Sequence, residues 1–183
     1  DFGGILVRKG QAMIEIRQVT ELEQALVPPL CELLIDTVHN GASVGFLAPL
    51  SIDRATRYWQ QVFASLGEGL LLWVAETDGR IAGSVQLAPS QKENGRHRAE
   101  LQKLFVHSEF QGQGIATQLM SAAETAARSA GCILLVLDTL SGSGAEAVYQ
   151  HFGWKRAGEI PNYAASPDGQ LHPTVYYFKL LAP

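Results

Sequence analysis

The stretch ELQKLFVHSEFQGQGIATQLMSAAETAARSA, residues 100–130, predicts a strand, a glycine-rich turn and a helix in direct succession. Residues 100–106 have an extended pattern, because apolar side chains are interleaved with Gln102 and Lys103. After a short elbow at residues 111–116, small and apolar residues recur at helical spacing, at Ile115, Leu119, Ala122, Ala123 and Ala126. Gly131 then stands at the position that typically ends a helix.

The elbow exposes main-chain N–H groups at the start of a helix, where the helix dipole is positive. Gly112 and Gly114 let an anion approach without contact to a Cβ atom, so the elbow predicts an anion-binding site. An NTPase phosphate loop would need Lys and Ser or Thr after its last glycine, but Ile115 follows Gly114. Thr117 fits the third small position of a dinucleotide fingerprint, yet no acidic residue follows at the usual distance. The elbow alone leaves the identity of the anion open.

Length, charge and cysteine content narrow the class of protein. At 183 residues the chain can bury one core, and we expect residues 13–183 to form a single domain. The net charge of −4 disfavours a nucleic-acid or membrane partner, and no apolar run approaches the roughly 20 residues of a membrane span. Cys31 and Cys132 are interpreted as buried free thiols in a reducing compartment. Residues 1–12 lack a secretory signal, so we interpret them as a disordered leader or an expression remnant and expect a cytoplasmic protein.

The remaining segments predict an α/β protein with a central mixed sheet flanked by helices. Thr77-Asp78-Gly79 is a hairpin signal, and the continuous Leu/Val run at residues 133–137 is typical of a strand buried on both faces. The last two strands, near 155–159 and 175–180, are predicted to flank a long loop. The predicted order is β-α-α-β-β-β-α-β-α-β-β.

Two motifs carry a resemblance to a known family. Gln111-x-x-Gly114-x-Ala116 behind the strand at 100–106, and Ala145-x-x-x-Tyr149-x-x-x-Gly153-Trp154, resemble the two signatures of the GNAT N-acetyltransferases. The resemblance implies the GNAT fold over nearly the whole chain and acetyl-CoA as co-substrate. It also implies that the elbow amides bind the pyrophosphate of acetyl-CoA and that the backbone of the preceding strand pairs with its pantetheine. The residues expected to bind acetyl-CoA are Leu104, Phe105, Val106, Gln111, Gly112, Gln113, Gly114, Ile115, Ala116, Thr117, Thr139, Ser143 and Tyr149.

Three residues are candidates for the chemistry of acetyl transfer. The amine must lose a proton, so a nearby carboxylate is useful, and Glu100 and Asp138 are the candidate bases. A solvated strand carboxylate is the alternative for Glu100, and a turn cap is the alternative for Asp138. The resemblance implies that Tyr149 protonates the departing CoA thiolate, whereas packing in the core is its structural alternative. It also implies a β-bulge whose free N–H near Phe105 meets the oxyanion.

The acceptor is predicted to be a small-molecule amine, which receives the acetyl group by direct transfer in a ternary complex. Its pocket is expected between the loop after His39 and residues 163–173. Stretches that include residues 39–46, 98–104, 137–139 and 167–174 also resemble family members that acetylate a β-lactam toxin, which implies a resistance role. The alternatives are a non-catalytic CoA-binding sensor or interaction module, and an acetyltransferase for a protein or peptide amine. The five histidines lack metal-site spacing, so no metal is predicted, and the expected state is a monomer or homodimer.

Overall fold

The computed structural model describes residues 13–182, so the predicted leader at residues 1–12 lies outside the described residues. A single seven-stranded sheet has the order β1-β2-β3-β4-β5-β7-β6, and all its neighbours are antiparallel except the parallel pair β4–β5. The strands are β1 (Ile14–Val19), β2 (Leu71–Thr77), β3 (Arg80–Pro89), β4 (Arg98–Val106), β5 (Leu134–Leu140), β6 (Lys155–Ala165) and β7 (Leu171–Leu180). The helices are α1 (Val27–His39), α2 (Ile52–Ala64), α3 (Ile115–Ser129) and α4 (Gly144–His151). The predicted mixed sheet flanked by helices is confirmed.

Helices cover both faces of the sheet and create two cores. The apolar stripe of α3 packs against β3 and β4 through buried residues that include Ile115 and Leu119. On the other face α1 and α2 pack together around the fully buried Trp59. Cys31 belongs to this second core and Cys132 to the first, and both are free thiols, as predicted. None of the helices in residues 13–182 combines the length and apolar character of a membrane span.

The hairpin between β2 and β3 confirms the turn signal in the sequence. Asp78 and Gly79 both have positive φ, 49° and 72°, as a two-residue turn that matches the twist of the strands requires. The turn sets the register in which Thr77 faces Arg80. β3 is thereby aligned against β2, and its other edge pairs with β4.

β4 is irregular in the middle, and this irregularity shapes the site. The β3–β4 register shifts between the pairs Gln86–Gln102 and Ser84–Phe105, which inserts one extra residue into β4. Lys103 lies in this bulge with a left-handed φ of 53°. The parallel pairing with β5 extends only from Arg98 to Glu100. Beyond Glu100, β4 and β5 therefore separate and leave a gap at the carboxyl end of β5.

The prediction of a long loop between the last two strands is wrong. β6 and β7 extend further than expected, and the connection is only residues 166–170. Pro161 is tolerated because β6 is an edge strand whose register shifts between Ile160 and Ala164. Pro173 lies opposite this irregular stretch, so its missing N–H removes no regular ladder bond to β6.

Gly83 on β3 tests the packing that seats α3 against the sheet. A Cβ atom there would lie 2.6 Å from the carbonyl oxygen of Phe105 and 3.1 Å from Leu119. We expect Gly83→Ala to lower the free energy of unfolding by about 1–3 kcal/mol, because overpacking displaces the backbone or the helix. Urea denaturation measures this change.

Gly158→Ala is the matched control for this substitution. Gly158 is also a strand glycine, and a Cβ atom there would meet nothing within 4 Å. The control should leave the unfolding midpoint unchanged or raise it slightly. Equal effects of the two substitutions would contradict close packing at Gly83.

Candidate active site

The glycine elbow lies between β4 and α3, as predicted. Gly112 and Gly114 adopt left-handed φ values of 76° and 79°, and Gly114 is the residue that precedes the first turn of α3. Asp36 of α1 fixes the entry to the elbow, because its carboxylate accepts the Ser108 N–H at 2.8 Å and the Ser108 hydroxyl at 2.6 Å. Asp36 was not singled out in the sequence, since a contact 72 residues away leaves no local signal.

The elbow presents free donors to solvent. Within the part of the chain that the structure describes, the main-chain N–H groups of residues 112–117 have no protein acceptor. A Cβ atom at Gly112 or Gly114 would meet nothing within 4 Å, so the space above the elbow is open. These donors and the start of α3 suit a pyrophosphate.

A groove of about 270 Å³ runs from the elbow into the gap between β4 and β5. It passes along the part of β4 that has no partner on β5, and it reaches α4 at Ala145, Val148 and Tyr149. Unpaired main-chain groups on this edge of β4 are therefore available to an extended ligand. The residues that line the groove are Asp36, Thr37, Asn40, Ala42, Leu104, Phe105, Val106, Gln111, Ala116, Ala145, Val148 and Tyr149.

A second, larger cavity of about 550 Å³ adjoins the groove, and the two share the lining residues Asn40, Ala42, Leu104, Ala145 and Tyr149. The segment after α1, residues 40–45, lines it from one side, and Tyr163, Ala164 and residues 172–174 line it from another. The structure thus brings together the two segments in which an acceptor pocket was predicted, although the second belongs to strands. Thr139 and Ser143 also line this cavity and not the groove. Tyr149 lines both spaces.

Glu100 and Asp138 lie on the neighbouring parallel strands β4 and β5. Glu100 pairs with Val136, two residues before Asp138, so both carboxylates emerge on the same face of the sheet and line the larger cavity. Thr174 donates its hydroxyl to Asp138 Oδ2 at 2.8 Å, so Asp138 is held by a neighbouring strand. Glu100 is exposed at the cavity wall. Desolvation by the surrounding residues and then the charge of Asp138 raise the pKa of Glu100 above its usual value, and the charge of Lys103 lowers it.

Tyr149 is buried where the groove and the cavity meet. Its ring packs on Trp154 and Tyr177, with centroid distances of 6.0 and 6.3 Å. Burial, and to a lesser degree the charge of Asp138, raise the pKa of Tyr149 to about 12. Tyr149 therefore packs in the core and also lines the site. Its hydroxyl keeps its proton at neutral pH.

The cavity wall includes a cationic side chain, Lys103, that was not among the site residues predicted from the sequence. Lys103 reaches the cavity from the bulge. Tyr163 also lines the cavity, and its hydroxyl lies 2.8 Å from the hydroxyl of Tyr176. His172 also lines it, in the segment where a role in acceptor binding was considered. A lone lysine in an apolar strand was the only available signal for Lys103. Within residues 13–182, no group of three or more His, Cys, Asp or Glu side chains could hold a metal ion.

Comparison with known proteins identifies the family. The sequence model of the acetyltransferase (GNAT) family matches residues 33–154. An uncharacterized N-acetyltransferase from the hisH-hisA intergenic region of Azospirillum brasilense is 32% identical over 127 residues, which are 68% of this chain and 74% of that protein. N-acetyltransferase 8 of Rattus norvegicus is 38% identical over 89 residues, which are 48% of this chain and 40% of that protein.

The fold has a solved counterpart. The structure of yncA from Salmonella typhimurium, determined with its cofactor acetyl-CoA, superposes with a TM-score of 0.74 at 18% identity and covers 93% of this chain and 95% of that one. At this identity the likeness concerns the fold alone. The family match and the Azospirillum relative show that the chain belongs to the acetyltransferase (GNAT) family and is an N-acetyltransferase.

Proposed function

We propose that this N-acetyltransferase transfers the acetyl group of acetyl-CoA directly to the amine of a small molecule in a ternary complex. The observation that carries the proposal is the junction at Tyr149, where the groove beside β4 meets the larger cavity. A donor in the groove and an acceptor in the cavity would meet there. Such positioning alone supplies a large share of the rate enhancement of a bimolecular reaction.

Acetyl-CoA fits the features of the groove in turn. The pyrophosphate would lie on the free N–H groups of residues 112–117, and the pantetheine would run along the unpaired edge of β4 at residues 104–106. An N–H near Phe105, beside the bulge, would donate a hydrogen bond to the acetyl oxygen as its negative charge develops. Thr139 and Ser143 line the adjoining cavity, so their contact with CoA would be restricted to its reactive end.

The carboxylates and the tyrosine would handle the two proton movements. Glu100 would take the proton from the amine, directly or through a water molecule, and Asp138 would support the positive charge on the amine. Tyr149 would stabilise the leaving sulfur through its hydroxyl. Because the pKa of Tyr149 is about 12 and that of a free thiol about 8.5, donation of a hydrogen bond would precede any complete proton transfer.

The sequence resemblance favours a β-lactam toxin of the kind handled by the tabtoxin resistance protein, and thus a resistance role. The stretches that carry this resemblance include residues 40–45, 100–104, 138–139 and 172–174, all of which line the cavity. Their clustering around one space supports recognition of one acceptor. Toxin-challenge survival of cells that express the protein, compared with cells that express a Glu100→Gln variant, tests this role directly.

The thiol released from acetyl-CoA with a panel of amines tests the proposed activity. Release that depends on a small amine and yields its N-acetyl derivative supports the proposal. Tight CoA binding without release for any small, peptide or protein amine would favour a sensor or interaction module. Release with peptide amines only would favour the alternative of a protein or peptide acetyltransferase.

Gly114→Ala tests the pyrophosphate site. The substitution strains a left-handed residue and adds a methyl group in the space above the elbow, where main-chain donors are free. We expect the affinity for CoA to fall by roughly 10–100-fold, the equivalent of one lost hydrogen bond to a charged group. Isothermal titration calorimetry with CoA measures this loss.

The matched control for this variant is Gly131→Ala. Gly131 follows the opposite end of α3, has a φ of 80°, and an added Cβ would also meet nothing within 4 Å. It carries the same backbone strain without the ligand contact, so CoA affinity should be unchanged. Similar CoA affinities for the two variants would place the pyrophosphate elsewhere.

Tyr149→Phe tests the role of the hydroxyl in the transfer step. We expect turnover to fall by about 10²-fold, because a donor to the leaving sulfur is lost, while CoA affinity changes little. Tyr177→Phe serves as a control, since its hydroxyl is engaged by Glu146 and Gln150. Single-turnover kinetics separate chemistry from product release, and a loss below a few-fold would leave Tyr149 with a packing role only.

The pH dependence of turnover tests the two carboxylates. A base must be deprotonated, so activity should fall as the pH drops through the raised pKa of Glu100, above the usual 4.5. Asp138→Asn removes a charge that raises this pKa and should move the acidic limb to lower pH. Glu100→Gln should abolish the limb and slow turnover by about 10²–10⁴-fold.

The double variant provides a further test of joint action. If the two carboxylates act as a unit, Glu100→Gln with Asp138→Asn should cost less than the product of the single effects. Glu93→Gln, on an exposed turn, is the control for a change of charge alone. Full activity in both single variants would leave bulk water as the proton acceptor.

A further inference from the structure

Lys103 is a partly buried cation in the wall of the larger cavity. The bulge turns its backbone to a left-handed φ of 53°, a conformation that is uncommon for a residue with a side chain. Its Nζ donates one hydrogen bond, to the carbonyl oxygen of Val44 at 2.8 Å, in the segment that follows α1. An ammonium group has three donors, so the Val44 bond satisfies only one of them.

The Lys103 ammonium lacks a direct ionic partner in the described chain. No carboxylate oxygen of residues 13–182 lies within 4.0 Å of its Nζ. Lys179 shows the usual arrangement for a partly buried lysine, because Glu124 contacts its Nζ at 2.8 and 3.0 Å. A partly buried charge without such a partner is costly unless a ligand supplies one.

The charges of two nearby carboxylates act on the Lys103 ammonium without direct contact. Burial lowers the pKa of Lys103, and the charges of Asp138 and Glu100 act in the opposite direction. The cavity therefore offers two acidic groups and one separate cation to a single bound molecule. A polyamine would place a second positive charge near Lys103, which is unfavourable. A peptide N-terminus carries a neutral amide beside its amine and so offers Lys103 no negative charge.

We propose that Lys103 binds a carboxylate of the acceptor, so that the acceptor belongs to the amino-acid class, with an amine and a carboxylate in one small molecule. This inference rests on the proposed acetyl transfer to a small amine. In this arrangement Glu100 and Asp138 take the amine end of the molecule. Lys103 takes the anionic end, and its bond to Val44 ties the segment at residues 40–45 to the bound acceptor.

Matched acceptors test the proposal on the unaltered protein. The twenty common L-amino acids are screened with acetyl-CoA, and the best acceptor is compared with its α-amide and its decarboxylated amine. The amide is less basic and the decarboxylated amine more basic than the amino acid, so the two bracket any effect of basicity. We expect kcat/KM to favour the amino acid over both by roughly 10–100-fold, as the loss of a charged hydrogen bond predicts.

Variants of Lys103 then assign that preference to one side chain. Lys103→Met removes the charge, and Lys103→Gln removes the charge but keeps a donor for the Val44 carbonyl. Both variants should reduce the preference for the amino acid over its amide and its decarboxylated amine to within a few-fold. The reason should be a lower kcat/KM for the amino acid, with kcat/KM for the other two acceptors unchanged. Lys103→Arg should retain most of the preference, and Lys92→Met, on an exposed turn, should retain all of it.

Four outcomes would overturn the inference. Equal loss for all three acceptors in Lys103→Gln would mean that Lys103 only tethers the neighbouring segment. Equal kcat/KM of the unaltered protein for the amino acid and its amide, or acetylation of simple alkylamines but of no amino acid, would contradict carboxylate binding and leave the proposed transfer intact. Turnover of no amine at all would contradict the proposed function and this inference together.

Discussion

The early end of the β4–β5 pairing is the constraint on which the site depends. Three residue pairs join these parallel strands, and beyond Glu100 the two backbones separate. A continuous ladder would have satisfied the edge of β4 within the protein and filled the groove. The bulge at Lys103 maintains the separation, because the extra residue bends and twists β4 while β3 continues to pair with it on the other side. Binding groups thus become available in the middle of a sheet and not at its rim.

The same bulge decides which side chains reach each space. Before it, Glu100 lies on the cavity face of the sheet, while Leu101 packs into the core beneath α3. After it, Phe105 is buried on the face covered by α1 and α2. One inserted residue therefore reverses the in-and-out alternation of side chains along β4. As a result, a single strand places Glu100 and Lys103 at the cavity and the ring of Phe105 in the core. A strand without the bulge would send Phe105 to the opposite face.

The sequence predicted the elements with strong local signals. The Asp78-Gly79 turn, the elbow glycines and the apolar stripe of α3 each depend on residue types that suit one conformation, and the structure has all three. Glu100 and Asp138 were the two candidate bases, and the topology places them on adjacent strands. Their catalytic roles, like that of Tyr149, stay predictions, because position alone does not show proton transfer.

What the sequence did not predict depends on long-range contacts. A lysine carries no local sign of a left-handed conformation, so the cavity position of Lys103 emerges only when β3 fixes the register on both sides of the bulge. Asp36 holds the elbow through Ser108, which follows it by 72 residues. Pro161 and Pro173 led to β6 and β7 being predicted too short. A proline usually interrupts a strand, but it is tolerated in an edge strand and opposite a register shift. In each case a neighbour in space overrides the local preference.

The placement of the cysteines bears on whether the acetyl group passes through the enzyme. A covalent route needs a nucleophile that both donor and acceptor can reach, and a thiol is the most reactive candidate. Cys31 lies in the core between α1 and α2 and Cys132 in the core beneath α3, and burial raises the pKa of both thiols, which disfavours the reactive thiolate. Neither lines the groove or the cavity. The residues that line both spaces are instead Asn40, Ala42, Leu104, Ala145 and Tyr149, and none of them is a thiol. This lining supports the direct attack of the acceptor amine on the thioester that is proposed above.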